Sequence, residues 1–455
     1  MPLSSLLRRR TTGAAVALAL SLATAATAPS LAVPPAAGTA AHAHAIARTH
    51  ATGLDRVTGL DHQALDRSLA AIHKAGMYGV YSAARDGKDE WRGAAGVADV
   101  GTGRPVRAHM EHRVGSVTKT FTAVGVLQQV ARGRIDLDAP VARYLPGVVP
   151  GELGRRITVR MLLNHTSGIG DYIPGAFPSL REMDPRSLDD NRFRHFSPGE
   201  LVRYGLAEER TGEPGATYAY SNTNYVLAGL LLNKVTGQDA EAYLTRHVIR
   251  AAGLRHTYFP RSPYIKGPHA RMYESMHGRI DPPRDYSVYD MSWAWALGSL
   301  VATTADLNRF YRTLLGGGLL GPAEMREMQT TVPVLDPEGR VQMHYGLGLY
   351  AKDMPCGRFW GHDGGAFGAG TYALSSPDGR RQLALGINLM KYQREGNGPA
   401  NPHPIDVALN EHATRALCGG AGAGPGSGEA TGDLLKGTRP DTPAPADTPA
   451  PASRP

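Results

Sequence analysis

The order of helix-like and strand-like segments constrains the fold of this chain more than any other feature of its sequence. Helical spacing of apolar residues over 61–76 is followed by strand-like runs between 77 and 97. The stretch from 135 to 300 shows mainly helical patterns, closely spaced strand candidates return after 345, and 405–417 is helical again. The simplest architecture is one sheet built from both ends of this stretch, with a mainly helical region inserted between its halves.

Both termini are expected to lie outside the folded domain. Arg8 to Arg10 precede an apolar run from Ala14 to Ala28, which is the pattern of an export signal. The segment after Cys418 is rich in Gly, Pro, Ala and Thr, a composition typical of disordered tails. We therefore expect a secreted protein without a stable membrane anchor, at most loosely associated with the cell wall. Its predicted segments are a signal peptide (1–32), a flexible leader (33–58), a folded domain (59–418) and a disordered tail (419–455).

The charge balance excludes one class of partner. The formal net charge is +8, and removal of the three signal arginines reduces it to +5. No cluster of Lys and Arg with interleaved aromatic residues accompanies this mild excess, so we expect no nucleic-acid binding. We expect a monomer whose partner is a small-molecule or peptide substrate.

The chain has two cysteines, Cys356 and Cys418. In an exported protein two thiols commonly pair, so we expect a disulfide between them. Two cysteines are too few for a structural zinc site, and the alternative is a pair of buried free thiols.

The first candidate for catalysis is the pair Ser116 and Lys119, which lies just before an apolar helical pattern. Residues three apart at a helix start share one face, so the amine can reach the hydroxyl. A serine becomes a good nucleophile when a base takes its proton, and a lysine can act as that base when burial depresses its pKa. The alternative is a serine at a helix start with an exposed lysine.

Two further polar clusters lie downstream. Tyr220 and Asn222 precede another apolar helix, where the tyrosine could pass a proton and the amide could bond to substrate and to Lys119. The alternative is a cluster that caps the helix. The glycine-rich string 361–365 follows a strand candidate and could let a substrate backbone approach, with the Gly365 N–H completing an oxyanion hole beside the Ser116 N–H. The alternative is a hairpin turn.

The three clusters together carry a resemblance. Ser-x-x-Lys, then Tyr-Ser-Asn, then Gly-His-x-Gly after a cysteine resembles the ordered signature of the serine beta-lactamase and penicillin-recognising DD-peptidase superfamily, class C-like, and most of all secreted actinomycete-type D-alanyl-D-alanine carboxypeptidases. The resemblance spans about residues 60–418. Supporting strings begin at Leu162 (Leu-Leu-Asn-His-Thr-Ser-Gly-Ile), Thr303 (Thr-Thr-Ala-Asp-Leu) and Tyr345 (Tyr-Gly-Leu-Gly-Leu).

This resemblance implies an α/β fold of the α+β type, with an antiparallel sheet flanked by helices, a mainly helical inserted region and a cleft between the two. It implies that Ser116 attacks a carbonyl carbon while Lys119 and Tyr220 shuttle protons, and it implies no metal and no cofactor. It further assigns substrate binding or orientation to Asn222, Trp293, His362, Gly364 and Gly365. His362 stands where many relatives have lysine, and its charge at neutral pH is left open.

The resemblance favours a D-alanyl-D-alanine carboxypeptidase-like peptidase acting on peptidoglycan stem peptides. The alternatives are a class C-like esterase, a D-amino-acid peptidase or amidase, a beta-lactamase, and a non-enzymatic wall-binding or sensor module that is acylated without turnover. Two hydroxylic residues and an arginine of the carboxypeptidases are replaced here by Asp363, Gly365 and Tyr350. We therefore expect esters or amidated peptides to be better substrates than free-acid peptides.

Overall fold

A nine-stranded sheet organises the molecule in the computed structural model, which describes residues 59–336, 338–394, 397 and 401–419. The predicted signal peptide and leader, and tail residues 420–455, lie outside the described residues. The strands are β1 Gly79–Asp86, β2 Asp89–Asp99, β3 Arg104–Pro105, β4 His112–Arg113, β5 Tyr273–Glu274, β6 Arg284–Asp285, β7 Val301–Ala302, β8 Val332–Leu335, β9 Val341–Tyr345, β10 Tyr350–Met354, β11 Gly357–Ala366, β12 Ala369–Ser375, β13 Arg381–Ile387 and β14 Leu389–Met390.

The two ends of the folded stretch meet in the middle of this sheet. The strand order is β3-β2-β1-β13-β12-β11-β10-β9-β8, and neighbouring strands are antiparallel throughout. The central pairing joins β1 to β13, with Val80 opposite Ile387 and Asp86 opposite Arg381. The predicted antiparallel sheet, built from both ends of the chain, is therefore confirmed.

Helices make up most of the inserted region and cover the sheet. They are α1 His62–Lys74, α2 Thr118–Val130, α3 Gly151–Arg156, α4 Val159–Leu163, α5 Ile173–Ala176, α6 Arg186–Asp190, α7 Pro198–Ala207, α8 Asn222–Thr236, α9 Ala240–Leu244, α10 Trp295–Gly298, α11 Thr304–Leu315, α12 Pro322–Gln329 and α13 Pro404–Cys418. Short 3-10 turns occur at Gly115–Val117, Val141–Arg143, Pro178–Glu182 and Met276–Gly278, and a π-helical turn at Thr245–Ile249.

The side-chain alternation of the strands divides the apolar residues between two cores. On β13, Leu383 and Leu385 belong to the core shared with α1 and α13, whereas Ala384 belongs to the core shared with α2, α8 and α11. Helices therefore lie on both faces of the sheet, and the second core continues into the helical region. No helix of the described residues is long and apolar enough to cross a membrane.

Two local expectations differ from the structure. The strand candidate over 345–350 is interrupted, because a tight turn with Gly348 at φ +78° separates β9 from β10. A Cβ at Gly348 would lie 2.4 Å from the Cβ of Ala123 on α2, so the close packing of this turn requires glycine. The glycine-rich string 361–365, expected to follow a strand, lies inside β11 and is not a hairpin turn.

The predicted disulfide is present. Cys356 and Cys418 are bonded, with their Cα atoms 5.4 Å apart. The bond ties the turn between β10 and β11 to the end of α13.

Candidate active site

The helix start places Ser116 and Lys119 together. Ser116 lies in the 3-10 turn and is partly exposed, while Lys119 is buried on the first turn of α2. The Lys119 Nζ is 2.9 Å from the Ser116 Oγ, 2.9 Å from the Asn222 Oδ1 and 3.4 Å from the carbonyl oxygen of Leu297. The alternative of an exposed lysine does not hold.

An ammonium can donate to all three of these oxygens, and a neutral amine can also make the three contacts. A neutral lysine has two N–H donors and one lone pair, and the Asn222 and Leu297 oxygens can only accept. In the neutral form both N–H groups can be donated to them, which leaves the lone pair for the hydroxyl proton of Ser116. Burial lowers the pKa of Lys119 from 10.5 to about 7, against the opposing effect of the Asp171 and Asp363 carboxylates. The amine is therefore suited to act as a base near neutral pH.

Tyr220 approaches the same hydroxyl from the inserted region. Its Oη donates to the Ser116 Oγ at 2.8 Å. Burial raises the pKa of Tyr220 well above its ordinary value, so the phenol keeps its proton and can donate it. The helix-capping alternative fails at Ser221, which occupies the N-cap position of α8 without a side-chain capping bond and donates to the carbonyl oxygen of Gly170 instead.

Asp171 orients the amide of Asn222, a contact that the sequence analysis missed. Its Oδ2 accepts from the Asn222 Nδ2 at 2.7 Å and from the Asn222 backbone N–H at 3.0 Å. The amide oxygen of Asn222 is thereby turned toward Lys119. Asp171 lies two residues after the string that begins at Leu162, and the polar run Asn-His-Thr-Ser within that string was the available signal.

Strand β11 packs directly against the 3-10 turn that carries Ser116. A Cβ at Gly364 would lie 2.0 Å from the Val114 carbonyl oxygen and 2.9 Å from the Ser116 N, and a Cβ at Gly115 would lie 2.6 Å from the Gly365 N. Glycine at these positions therefore allows β11 and the turn that carries Ser116 to approach each other closely. The backbone nitrogens of Ser116 and Gly365 therefore lie in adjoining segments.

His362 is neutral. It is 1% exposed, and burial lowers its pKa from 6.5 to about 3. Its Nδ1 lies 2.5 Å from the Asp363 carbonyl oxygen, which can only accept, so Nδ1 carries the proton and Nε2 accepts from the Tyr345 hydroxyl at 2.8 Å. Its hydrogen bonds among the described residues go to these partners and not to Lys119 or Tyr220.

Aromatic packing supports the Tyr220 ring. His165 is fully buried with φ +59°, and its ring lies 4.3 Å from the Tyr220 ring and 5.0 Å from the Tyr345 ring, centroid to centroid. The His165 Nδ1 accepts the backbone N–H of Ser221 at 3.2 Å. His165 and Tyr345 are thus positioning residues. Both residues lie in sequence strings that support the family resemblance, those beginning at Leu162 and Tyr345, but the sequence analysis assigned them no function.

Trp293 lies in an aromatic cluster beside the end of β11. Its ring centroid is 5.4 Å from that of Phe367 and 5.8 Å from that of Phe177, and the residue is 9% exposed. Phe367 directly follows β11, so Trp293 packs beside the end of that strand. No group of three or more His, Cys, Asp or Glu side chains within the described ranges could hold a metal ion.

Comparison with known proteins agrees with this geometry. The family model described as Beta-lactamase matches residues 62–400. The solved structure of a D-stereospecific amidohydrolase from Streptomyces sp. is 37% identical, with a TM-score of 0.69 over 79% of this chain and 99% of that one.

Two curated relatives have different activities in their names. Penicillin-binding protein 4 of Amycolatopsis lactamdurans is 29% identical over 69% of this chain and 87% of its own length. Esterase EstB of Burkholderia gladioli is 35% identical over 38% of this chain and 44% of its own length. With a family match across most of the folded stretch, the chain belongs to the beta-lactamase family of serine hydrolases.

Proposed function

We propose that this protein is a secreted acyl-enzyme hydrolase that prefers amides and esters of D-amino-acid peptides to peptides with a free D-alanyl-D-alanine terminus. The contacts that carry the catalytic part of the proposal are those of the Ser116 Oγ, which lies 2.9 Å from the Lys119 Nζ and 2.8 Å from the Tyr220 Oη. One group can take the serine proton while the other supplies a proton to the leaving group.

Acylation proceeds in two stages, bond formation and departure of the leaving group, with three proton transfers in all. Lys119 takes the hydroxyl proton as Ser116 Oγ forms a bond to the substrate carbonyl carbon, and the N–H groups of Ser116 and Gly365 stabilise the resulting oxyanion. The bond to the leaving group then breaks, and Tyr220 gives that group a proton and regains one from Lys119. Deacylation repeats the sequence with water as the nucleophile and Ser116 as the leaving group.

The preference for substrates without a free terminal carboxylate rests on Asp363. Its side chain is buried in β11 between two residues of the site, and its charge acts on Lys119 and Tyr220. A substrate carboxylate docked beside this carboxylate would meet a like charge. An amide or ester avoids that repulsion. The name of the Streptomyces relative, an amidohydrolase, supports this choice.

The second candidate is a D-alanyl-D-alanine carboxypeptidase. It is favoured by the similarity to penicillin-binding protein 4, which extends over 87% of that relative. The two candidates share the acyl-enzyme chemistry and differ in whether a free terminal carboxylate helps or hinders binding.

The discriminating experiment measures kcat/KM for one diacyl D-alanyl-D-alanine peptide as the free acid, as the terminal amide and as the methyl ester. We expect kcat/KM to be higher for the amide and the ester than for the free acid. In Asp363→Asn the difference in kcat/KM between these forms should be smaller, without loss of ester turnover. Ser116→Ala is the inactive control. A tenfold preference of the wild type for the free acid would reverse the assignment in favour of the carboxypeptidase.

A further inference from the structure

A cavity lies apart from the residues of the candidate active site. It has a volume of about 440 Å³ and is lined by β1, β2, the first three turns of α11 and the loop segments around 109 and 255. None of the residues assigned above to the catalytic site lines it. Its size falls within the range of about 300 to 1,000 Å³ that is usual for small-molecule sites.

The cavity wall is rich in arginine. Five arginines line it, together with three carboxylates and two histidines. The arginines are Arg85, Arg92, Arg255, Arg309 and Arg312.

All three carboxylates already have partners. Glu90 is shared by Arg85 and Arg92. Glu111 accepts from a tyrosine hydroxyl at 2.8 Å and from a backbone N–H at 3.1 Å, and Asp306 accepts from a backbone N–H at 2.7 Å and a threonine hydroxyl at 2.9 Å. Five arginines face three carboxylates, so the wall carries an excess of positive charge.

The remaining arginines are Arg255, Arg309 and Arg312, and none of them has a carboxylate partner within the described part of the chain. Arg309 and Arg312 lie three residues apart on α11 and share one face of the helix. Arg312 bonds only weakly to the amide oxygen of Gln382, at 3.4 Å. Burial, and to a smaller extent the charges of Arg85 and Arg309, lower the pKa of Arg312.

We propose that this cavity binds a small ligand carrying at least two oxyanion groups, of the phosphate-ester or polycarboxylate class, through Arg255, Arg309 and Arg312. A guanidinium group donates paired hydrogen bonds to phosphate or carboxylate oxygens, and a ligand with two such groups can engage both α11 and the loop at Arg255. Binding relieves the repulsion between the arginines. This site is independent of the acyl-enzyme chemistry and of the substrate assigned above.

The test is isothermal titration of the purified full chain at low ionic strength with sodium pyrophosphate and, separately, with tricarballylate. Saturable binding of both supports the general oxyanion site, binding of pyrophosphate alone assigns it to phosphate esters, and binding of tricarballylate alone assigns it to polycarboxylates. We expect Arg309→Ser and Arg312→Ser each to weaken binding about tenfold or more.

The matched control is Arg326→Ser, which removes an exposed arginine of α12 outside the cavity. It should bind as the wild type does, and all three variants should keep wild-type ester turnover, which shows that they are folded. The proposal is overturned if neither anion binds saturably, if Arg309→Ser and Arg312→Ser bind like the wild type, or if Arg326→Ser weakens binding as much as they do.

Discussion

The titration of Lys119 should control the acidic limb of the activity profile. Its pKa is about 7, and only the neutral amine can take the proton of Ser116. With this pKa, about one tenth of the amine is neutral at pH 6 and about one hundredth at pH 5, so kcat/KM should fall about tenfold per pH unit on the acidic side. The neighbouring His362, with a pKa of about 3, and His165, with a pKa well below the ordinary value, are already neutral there and do not contribute to this limb.

Removing the charge of Asp363 tests whether Lys119 is the group that titrates in the acidic limb. Asp363 raises the pKa of Lys119, so Asp363→Asn should move the acidic limb to lower pH and increase the fraction of plateau activity that remains at pH 6. Asp353→Asn is the matched control, because Asp353 is exposed on β10 and paired with Arg358. The effect of the Asp171 carboxylate remains in both variants.

The assay is kcat/KM for an uncharged acetate ester between pH 5 and 10, since this parameter reports the free enzyme and the substrate itself does not titrate. Circular dichroism at each pH confirms that the protein stays folded. A limb centred near 10, or a limb near 7 that Asp363→Asn leaves in place, would refute the role given to Lys119.

Three further outcomes are expected. Ser116→Ala should abolish both turnover and the covalent adduct that a penicillin or activated ester leaves on the Ser116 peptide in mass spectrometry, and an adduct found only elsewhere contradicts the mechanism. Lys119 has a lower pKa in the folded than in the unfolded chain, so between about pH 7 and 10.5 the unfolded chain binds the extra proton. In urea titrations the free energy of unfolding of the wild type should therefore rise with pH relative to that of Lys119→Met, by up to about 1.4 kcal/mol per pH unit. If the free energies of the two proteins change in parallel with pH, the pKa of Lys119 is not lowered. Replacing Cys356 and Cys418 together by serine should lower the free energy of unfolding by about 4 kcal/mol, the chain-entropy value for a loop of 62 residues, and thiol titration of the unreduced, denatured wild type should find no free thiol.

Local sequence patterns were sufficient where the chemistry depends on neighbours along the chain. The spacing of Ser116 and Lys119 at a helix start predicts their contact, because residues three apart on a helix face the same way. The helical insertion between the strands could likewise be predicted from periodicity, which differs between helices and strands. The glycines of 361–365 were misplaced because glycine carries little strand propensity, although the close approach of the nucleophile turn to β11 requires it.

What the sequence alone determined is therefore the family signature, the sheet built from both ends of the folded stretch, and the side chains Ser116, Lys119 and Tyr220 that the structure brings into contact. The tertiary structure decided their electrostatic state. Burial lowers the pKa of Lys119 and makes His362 neutral, and burial depends on packing between segments far apart in the chain. The same holds for Asp171 and Tyr345, whose contacts with the site appear only when the inserted helices and the sheet close on each other, because hydrogen bonds across such distances leave no periodic trace in the sequence.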